Sequence, residues 1–201
     1  KNLVTNDDLA PRLDVFVRDL AASTTVLASA NSTGIGGGDD NSEFPMLSSN
    51  GQFVAFESAA SNLVPNDTNR TADIFVRDLR AGATILASVA ASGDASGNGP
   101  STLPSLSPDG RWVLFASAAS NLVTGDINGC SDVFIRDLVS NVTERVSVDA
   151  TGAGTAEGAS DAPAAAWEGR SVVFVKNATN MIGGTLTSYG EIYVRHLILG
   201  T

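Results

Sequence analysis

One pattern recurs along the chain at an interval of 59 residues. The tripeptide Arg-Asp-Leu stands at 18–20, 77–79 and 136–138, and Arg-His-Leu follows at 195–197. Other types of residue keep the same interval: turn glycines at Gly51, Gly110 and Gly169, phenylalanines at Phe56, Phe115 and Phe174, and prolines at Pro45, Pro104 and Pro163. Self-similarity at a fixed period is the mark of solenoids, propellers and other repeat arrays. The fold must therefore be built from equivalent units of about this length.

Each unit is predicted to form four short strands, which we name A to D. Strand A follows the proline, and a tight turn containing glycine leads to strand B. Strand C begins at an aspartate, and strand D follows a second short turn. Strands B and C are rich in aromatic and β-branched residues, and Ile74-Phe75-Val76 and Val113-Leu114-Phe115 are apolar on both faces. Such strands are typical of a sheet packed between two neighbours. The predicted ranges are Met46–Ser48 and Ser105–Ser107 for A, Phe53–Phe56, Trp112–Phe115 and Val172–Val175 for B, and Thr25–Ser29, Thr84–Ser88 and Thr143–Ser147 for D.

Tandem four-stranded units that are buried on both faces predict the blades of a β-propeller. The segment Ser107-Pro108-Asp109-Gly110-Arg111, then Phe115, then the segment from Asp132 to Leu138 resemble the WD40-like (PD40) repeat of TolB-type propellers. The resemblance covers essentially the whole chain. It implies an all-β propeller of four-stranded antiparallel blades, and TolB-like relatives point to the periplasm or the cell surface.

The strand count predicts about three and a quarter blades. Residues 1–43 would supply strands C and D of a first blade, 44–102 and 103–161 two complete blades, and 162–201 strands A to C of a last one. Propellers usually close with four to eight blades, and an open end exposes sheet edges that proteins normally cover. We therefore expect a partial propeller that belongs to a longer chain or is completed by another chain.

Composition narrows the classes of partner. The chain has 22 acidic and 12 basic residues and a net charge of −10, which argues against nucleic acid because phosphate binding needs clustered Lys and Arg. No apolar run approaches the roughly 20 residues of a transmembrane helix. Acidity, few lysines, and a single cysteine, Cys130, together with the resemblance, predict an extracytoplasmic protein, whether periplasmic, secreted or on the cell surface.

The long B–C loops carry a candidate cation motif. The two loops place oxygen-bearing side chains at relative positions 1, 3 and 7, a spacing that suits Ca²⁺, although the bidentate acid of an EF-hand is absent. The alternative is that these side chains form Asx-turns and fix the entry to strand C. The candidate ligands are Asp67, Asn69 and Asp73 in one loop and Asp126, Asn128 and Asp132 in the next.

Nothing in the sequence forms a catalytic constellation. The pairs Arg77-Asp78 and Arg136-Asp137 recur in each unit, so we expect them to be structural and to link adjacent blades. His196 is the only histidine, and no Gly-x-Ser-x-Gly motif accompanies it. We therefore expect no enzymatic activity and no catalytic residues.

Three functions follow from these expectations. The first is a non-enzymatic extracytoplasmic propeller that binds a protein partner or serves as a structural module of a larger protein or assembly. The second is the accessory propeller of a larger, prolyl-oligopeptidase-like hydrolase. The third is a Ca²⁺- or glycan-binding propeller that uses the long B–C and D–A loops.

Overall fold

The computed structural model describes residues 3–6, 10–152, 154, 156–166, 171–177, 180–181 and 190–197. These residues form thirteen strands. No helix capable of crossing a membrane occurs among them. The strands are β1 (Phe16–Asp19), β2 (Thr24–Leu27), β3 (Ser42–Leu47), β4 (Phe53–Ser58), β5 (Asp73–Asp78), β6 (Ala83–Leu86), β7 (Ser101–Leu106), β8 (Trp112–Ser117), β9 (Asp132–Asp137), β10 (Val142–Arg145), β11 (Ser160–Ala166), β12 (Ser171–Lys176) and β13 (Glu191–His196).

The strands form four antiparallel sheets in chain order. They are β1-β2, β3-β4-β5-β6, β7-β8-β9-β10 and β11-β12-β13. This arrangement of two, four, four and three strands confirms the predicted all-β propeller architecture of four-stranded blades. The first strands of successive sheets contact one another, β3 with β7 and β7 with β11, so strand A of each blade lies on the inside of the arc.

The hydrophobic core consists of three clusters, one between each pair of successive sheets. Within a central strand, Phe75 packs in the first cluster while its neighbours Ile74 and Val76 pack in the second. All three are 0% exposed, because side chains alternate between the two faces of a strand and both faces are covered. A stacked aromatic pair crosses strands B and C in each of the last three sheets: Phe56–Phe75, Phe115–Phe134 and Phe174–Tyr193.

Strand A begins before the proline, so its predicted start after the proline was wrong. In β3 the pairing with β4 shifts register between Glu43 and Met46, and β7 and β11 repeat this irregularity. Proline has no N–H for the ladder, and a bulge lets the strand pass it and resume pairing on the far side. The residue before each proline takes positive φ: Phe44 at 51°, Leu103 at 55° and Ala162 at 49°.

Strand D ends earlier than predicted for a reason that recurs in each repeat. Its ladder stops at Leu27, Leu86 or Arg145, although the predictions ran two residues further. The serine at that further position turns its hydroxyl to the start of strand C instead, where Ser88 Oγ accepts the N–H of Ile74 at 3.0 Å. A side chain thus replaces a ladder hydrogen bond at the start of strand C.

Candidate functional site

The long loops lie on one side of the sheets and are tied to each other. In the second repeat, Ser96 Oγ accepts the backbone N–H groups of Thr68 and Asn69 at 3.0 and 3.1 Å. Asn69 Nδ2 also donates to the carbonyl of Gly97 at 2.7 Å. The B–C loop and the D–A loop therefore form one hydrogen-bonded unit above each blade, which is the surface that sequence reasoning selected for binding.

The aspartate at the start of strand C is fully buried and bonded to a serine. Asp73 and Asp132 are both 0% exposed. Oδ1 of each accepts the hydroxyl of its serine, Ser88 or Ser147, and the same pairing joins Ser29 to Asp14 at 2.6 Å. The Asp–Ser pair fixes the entry to strand C in three repeats, as the alternative interpretation predicted.

The asparagines of the motif make the turns that the alternative interpretation predicted. Asn69 Oδ1 accepts the N–H of Thr71 at 2.9 Å, and Asn128 Oδ1 accepts that of Cys130 at 2.9 Å. Both are Asx-turns. Asn128 Nδ2 also donates to Asp132 Oδ2 at 2.8 Å. A cation role for the six motif residues stays a prediction, and its best-placed ligands are now the aspartates.

The two copies of the motif differ in the charges around them. Asp67 and Asp126 are 8% and 7% exposed, and burial raises the pKa of both carboxyls. Asp126 Oδ1 lies 3.5 Å from the Arg145 guanidinium. Burial also lowers the pKa of the nearby Lys176 to about 8, while the Asp132 carboxylate opposes that shift. One repeat earlier, the residues equivalent to Arg145 and Lys176 are uncharged: they are Leu86 and Ser117.

Sequence reasoning missed these two cations, although a signal was present. Arg145 and Lys176 stand where the other repeats have leucine and serine, so each breaks the 59-residue pattern. Lys176 Nζ donates to Ser160 Oγ at 2.9 Å, in the place where Ser117 donates nothing to the carboxylates and instead pairs with Ser101 at 2.8 Å.

The recurring Arg-Asp pairs hold each blade together internally. Arg77 donates to Thr84 Oγ1 at 3.0 Å across strands C and D, and the equivalent arginines, Arg18 and Arg136, do the same. Asp137 forms an ion pair with Arg111 at 2.8 Å across strands B and C. These bonds join strands within one blade, so the expectation that the pairs link adjacent blades was wrong. Their cross-strand geometry makes them structural, as predicted.

The remaining reactive side chains do not converge. His196 Nδ1 lies 2.8 Å from Ser171 Oγ in an exposed position. Cys130 is a free, half-buried thiol. Trp112 lies under the Arg111 guanidinium at 5.0 Å. Within the described ranges, no three His, Cys, Asp or Glu side chains are grouped as a metal site.

The last sheet has one apolar face that its counterparts bury. Ile192 and Val194 of β13 are 70% and 60% exposed, whereas the equivalent Val133 and Ile135 of β9 are 0% and 1% exposed. The sequences of the two strands are of the same kind, so the difference comes from position: β9 is followed by another sheet. We name the surface formed by Ile192, Val194 and Val175 the open blade face.

Comparison with solved structures places this architecture among the β-propellers. The protein assigned as TolB from Agrobacterium tumefaciens matches over 85% of this chain and 48% of its own, with a TM-score of 0.54 and 18% identity. The tricorn protease matches over 83% of this chain and 13% of its own, with a TM-score of 0.50 and 13% identity. No protein-family model matches the sequence, and no curated protein matches it.

The chain has a TolB-like β-propeller fold, which confirms the resemblance stated from the PD40-like residues at the level of fold. It spans 48% of the length of the first of these structures and 13% of the second. At these identities the likeness concerns architecture, and propellers carry many unrelated activities.

Proposed function

We propose that this chain is a segment of a non-enzymatic β-propeller that serves as an interaction or structural module of a larger protein. The open blade face carries the proposal. A further four-stranded blade of the same polypeptide, presenting its own apolar face, would cover Ile192 and Val194 as the third sheet covers Ile74 and Val76 of the second.

The energetics favour such a cover. Burying a large aliphatic side chain that is otherwise exposed contributes roughly 1.5–3 kcal/mol. Full burial of Ile192 and Val194 would therefore contribute roughly 3–6 kcal/mol, less what their 30% and 40% coverage already supplies. Exposed apolar faces of this kind also invite aggregation. A blade that packs here removes both problems.

A non-enzymatic role is supported by how the polar residues are used. The Arg-Asp pairs are spent on cross-strand bonds, and the Ser171–His196 pair is exposed to solvent. We also propose an extracytoplasmic location. The acidity of the chain and its single cysteine, with 12 basic residues among 201, are consistent with it.

The test begins with the intact mass of the native polypeptide and light scattering of the native particle. In that native protein, Ile192→Glu combined with Val194→Glu would place two charges on the open blade face. Val139→Glu is the matched control, because Val139 is 72% exposed on a short turn. We expect the double variant to melt at least several degrees lower and the control to melt unchanged. A native monomer of 201 residues whose melting temperature ignores the double variant would refute the proposal.

The alternative is the accessory propeller of a larger hydrolase. The fold likeness to a propeller segment of the tricorn protease is what favours it. The discriminating observation is a Gly-x-Ser-x-Gly domain in the same open reading frame, together with peptidase activity that is lost when its serine is replaced. A native polypeptide without such a domain would remove this alternative.

A further inference from the structure

We infer that Asp67 and Asp73 form a site for one hard divalent cation of the Ca²⁺ type, and that in the next repeat Arg145 and Lys176 supply the equivalent positive charge from the protein itself. The inference separates the two copies of the motif, which the sequence treated alike.

The first argument is the state of the carboxylate oxygens. Oδ1 and Oδ2 of Asp67 and Oδ2 of Asp73 are buried, and none has a hydrogen bond of normal geometry with the described part of the chain. The Ser96 hydroxyl and the Asn69 amide lie close enough to oppose the raised pKa of Asp67 without completing such a bond. Both side chains are more than nine-tenths buried. Buried carboxylates without partners are costly and are usually compensated by a bound cation or a paired charge.

The second argument is the internal comparison between repeats. At the equivalent place 59 residues later, Arg145 lies 3.5 Å from Asp126, Lys176 lies within Coulombic reach of Asp132, and Asp132 Oδ2 accepts the Asn128 amide. The backbone and the Asp–Ser pair are the same in both repeats. The copy that has lost its oxygen-to-nitrogen partners is therefore also the copy that has no cationic side chain.

The chemistry of the donors selects the ligand. Three free carboxylate oxygens, with loop carbonyls and water to complete the shell, offer only oxygen, which hard cations prefer. Two carboxylates neutralise one divalent charge. Ca²⁺ accepts six to eight oxygens in irregular geometry, whereas Mg²⁺ requires a near-ideal octahedron, so loops of this kind favour Ca²⁺.

Variants that exchange the two repeats give the sharpest test. In the native protein, after treatment with chelator, calorimetric titration with CaCl₂ measures the number of bound ions, and thermal unfolding measures the gain in stability. Asp67→Asn removes a ligand, and Ser117→Lys places at the first site the cation that the second already has. Arg145→Leu combined with Lys176→Ser gives the second site the residues of the first. Asp94→Asn, an exposed acid on the same loop surface, is the control.

We expect Asp67→Asn and Ser117→Lys each to lower the Ca²⁺ stoichiometry by one, or to weaken that site at least tenfold, and the control to change neither. We expect Ser117→Lys to remain folded and to lose its Ca²⁺-dependent rise in melting temperature. The double variant should gain one site. Equal stoichiometry in the wild type, Asp67→Asn and Ser117→Lys proteins, each with a native circular dichroism spectrum, would overturn the inference and leave a hydrated or protonated Asp pair as the explanation.

Discussion

Replacing Gly110 by alanine tests how tightly adjacent blades are docked, and Gly51 provides a matched control. Both glycines occupy the A–B turn of their blade with positive φ, 78° and 69°. A Cβ on Gly51 would meet nothing within 4 Å. A Cβ on Gly110 would lie 2.6 Å from Cγ and 3.0 Å from Cβ of Phe53, which belongs to the preceding blade. The two turns are also joined by the bond from Ser49 N–H to the Pro108 carbonyl at 2.9 Å.

The expected magnitude has a shared part and a part specific to Gly110. An alanine in the left-handed region costs about 1–2 kcal/mol at either turn, offset by about 0.4–1 kcal/mol because the unfolded chain loses freedom. The overpacked contact with Phe53 adds about 1–3 kcal/mol. Close approach to Cβ, and not only to the ring, prevents the phenylalanine from simply rotating away. Gly110→Ala should therefore lower the free energy of unfolding by about 1–3 kcal/mol more than Gly51→Ala does.

Urea unfolding of the two variants measures this difference, and in thermal unfolding it corresponds to roughly 2–4 °C per kcal/mol for a chain of this size. The double variant Phe53→Ala with Gly110→Ala isolates the contact, because its loss of stability should fall short of the sum of the two single losses. Equal destabilisation by Gly51→Ala and Gly110→Ala, with additive behaviour in the double variant, would show that the two blades do not meet at this turn as described.

Two further predictions concern the core and the pH dependence. Phe115→Ala should cost about 3–5 kcal/mol because the ring is fully buried and stacked on Phe134, while Phe44→Ala, at a side chain 52% exposed, should cost much less; urea midpoints with unchanged slopes would check both. The Arg111 guanidinium holds the pKa of Asp137 far below its usual value, so this pair stabilises the protein above pH about 4, the unfolded value, and the contribution is lost as pH falls through the folded pKa. Asp137→Asn should flatten acid unfolding in that range; an unchanged acid limb would contradict the assignment.

The repeat made the architecture predictable because equivalent residues must occupy equivalent environments. Strand content, blade order and burial on both faces of Ile74-Phe75-Val76 all follow from phase and apolarity. Strand ends were less predictable, since they depend on hydrogen bonds that sequence patterns do not encode. Ser88 leaves the ladder to cap strand C, and the Phe44–Pro45 bulge keeps strand A paired on both sides of a proline.

The candidate site was predictable in its residues and unpredictable in its charges. The motif drew attention to Asp67 and Asp126 alike, because spacing within a loop is visible in sequence. Their partners come from other strands and from the next blade, at distances of 19 residues for Arg145 and 50 for Lys176 along the chain, and only the fold brings them beside the carboxylates. The same holds for the intrablade pairing of Arg111 with Asp137.

In a repeat protein, the positions where units differ are more informative about function than the positions where they agree. Agreement between repeats is sufficiently explained by packing, since each blade must present the same faces to its neighbours. A departure needs its own cause, and burying a charge costs several kcal/mol unless something compensates it. Lys176 and Arg145 each replace an uncharged residue at an inward position, and both face the carboxylates of the loop above. Such a pair is stable only where negative charge awaits it, so the repeat without these cations must meet the same negative charge by another means, through protons, water or a bound ion.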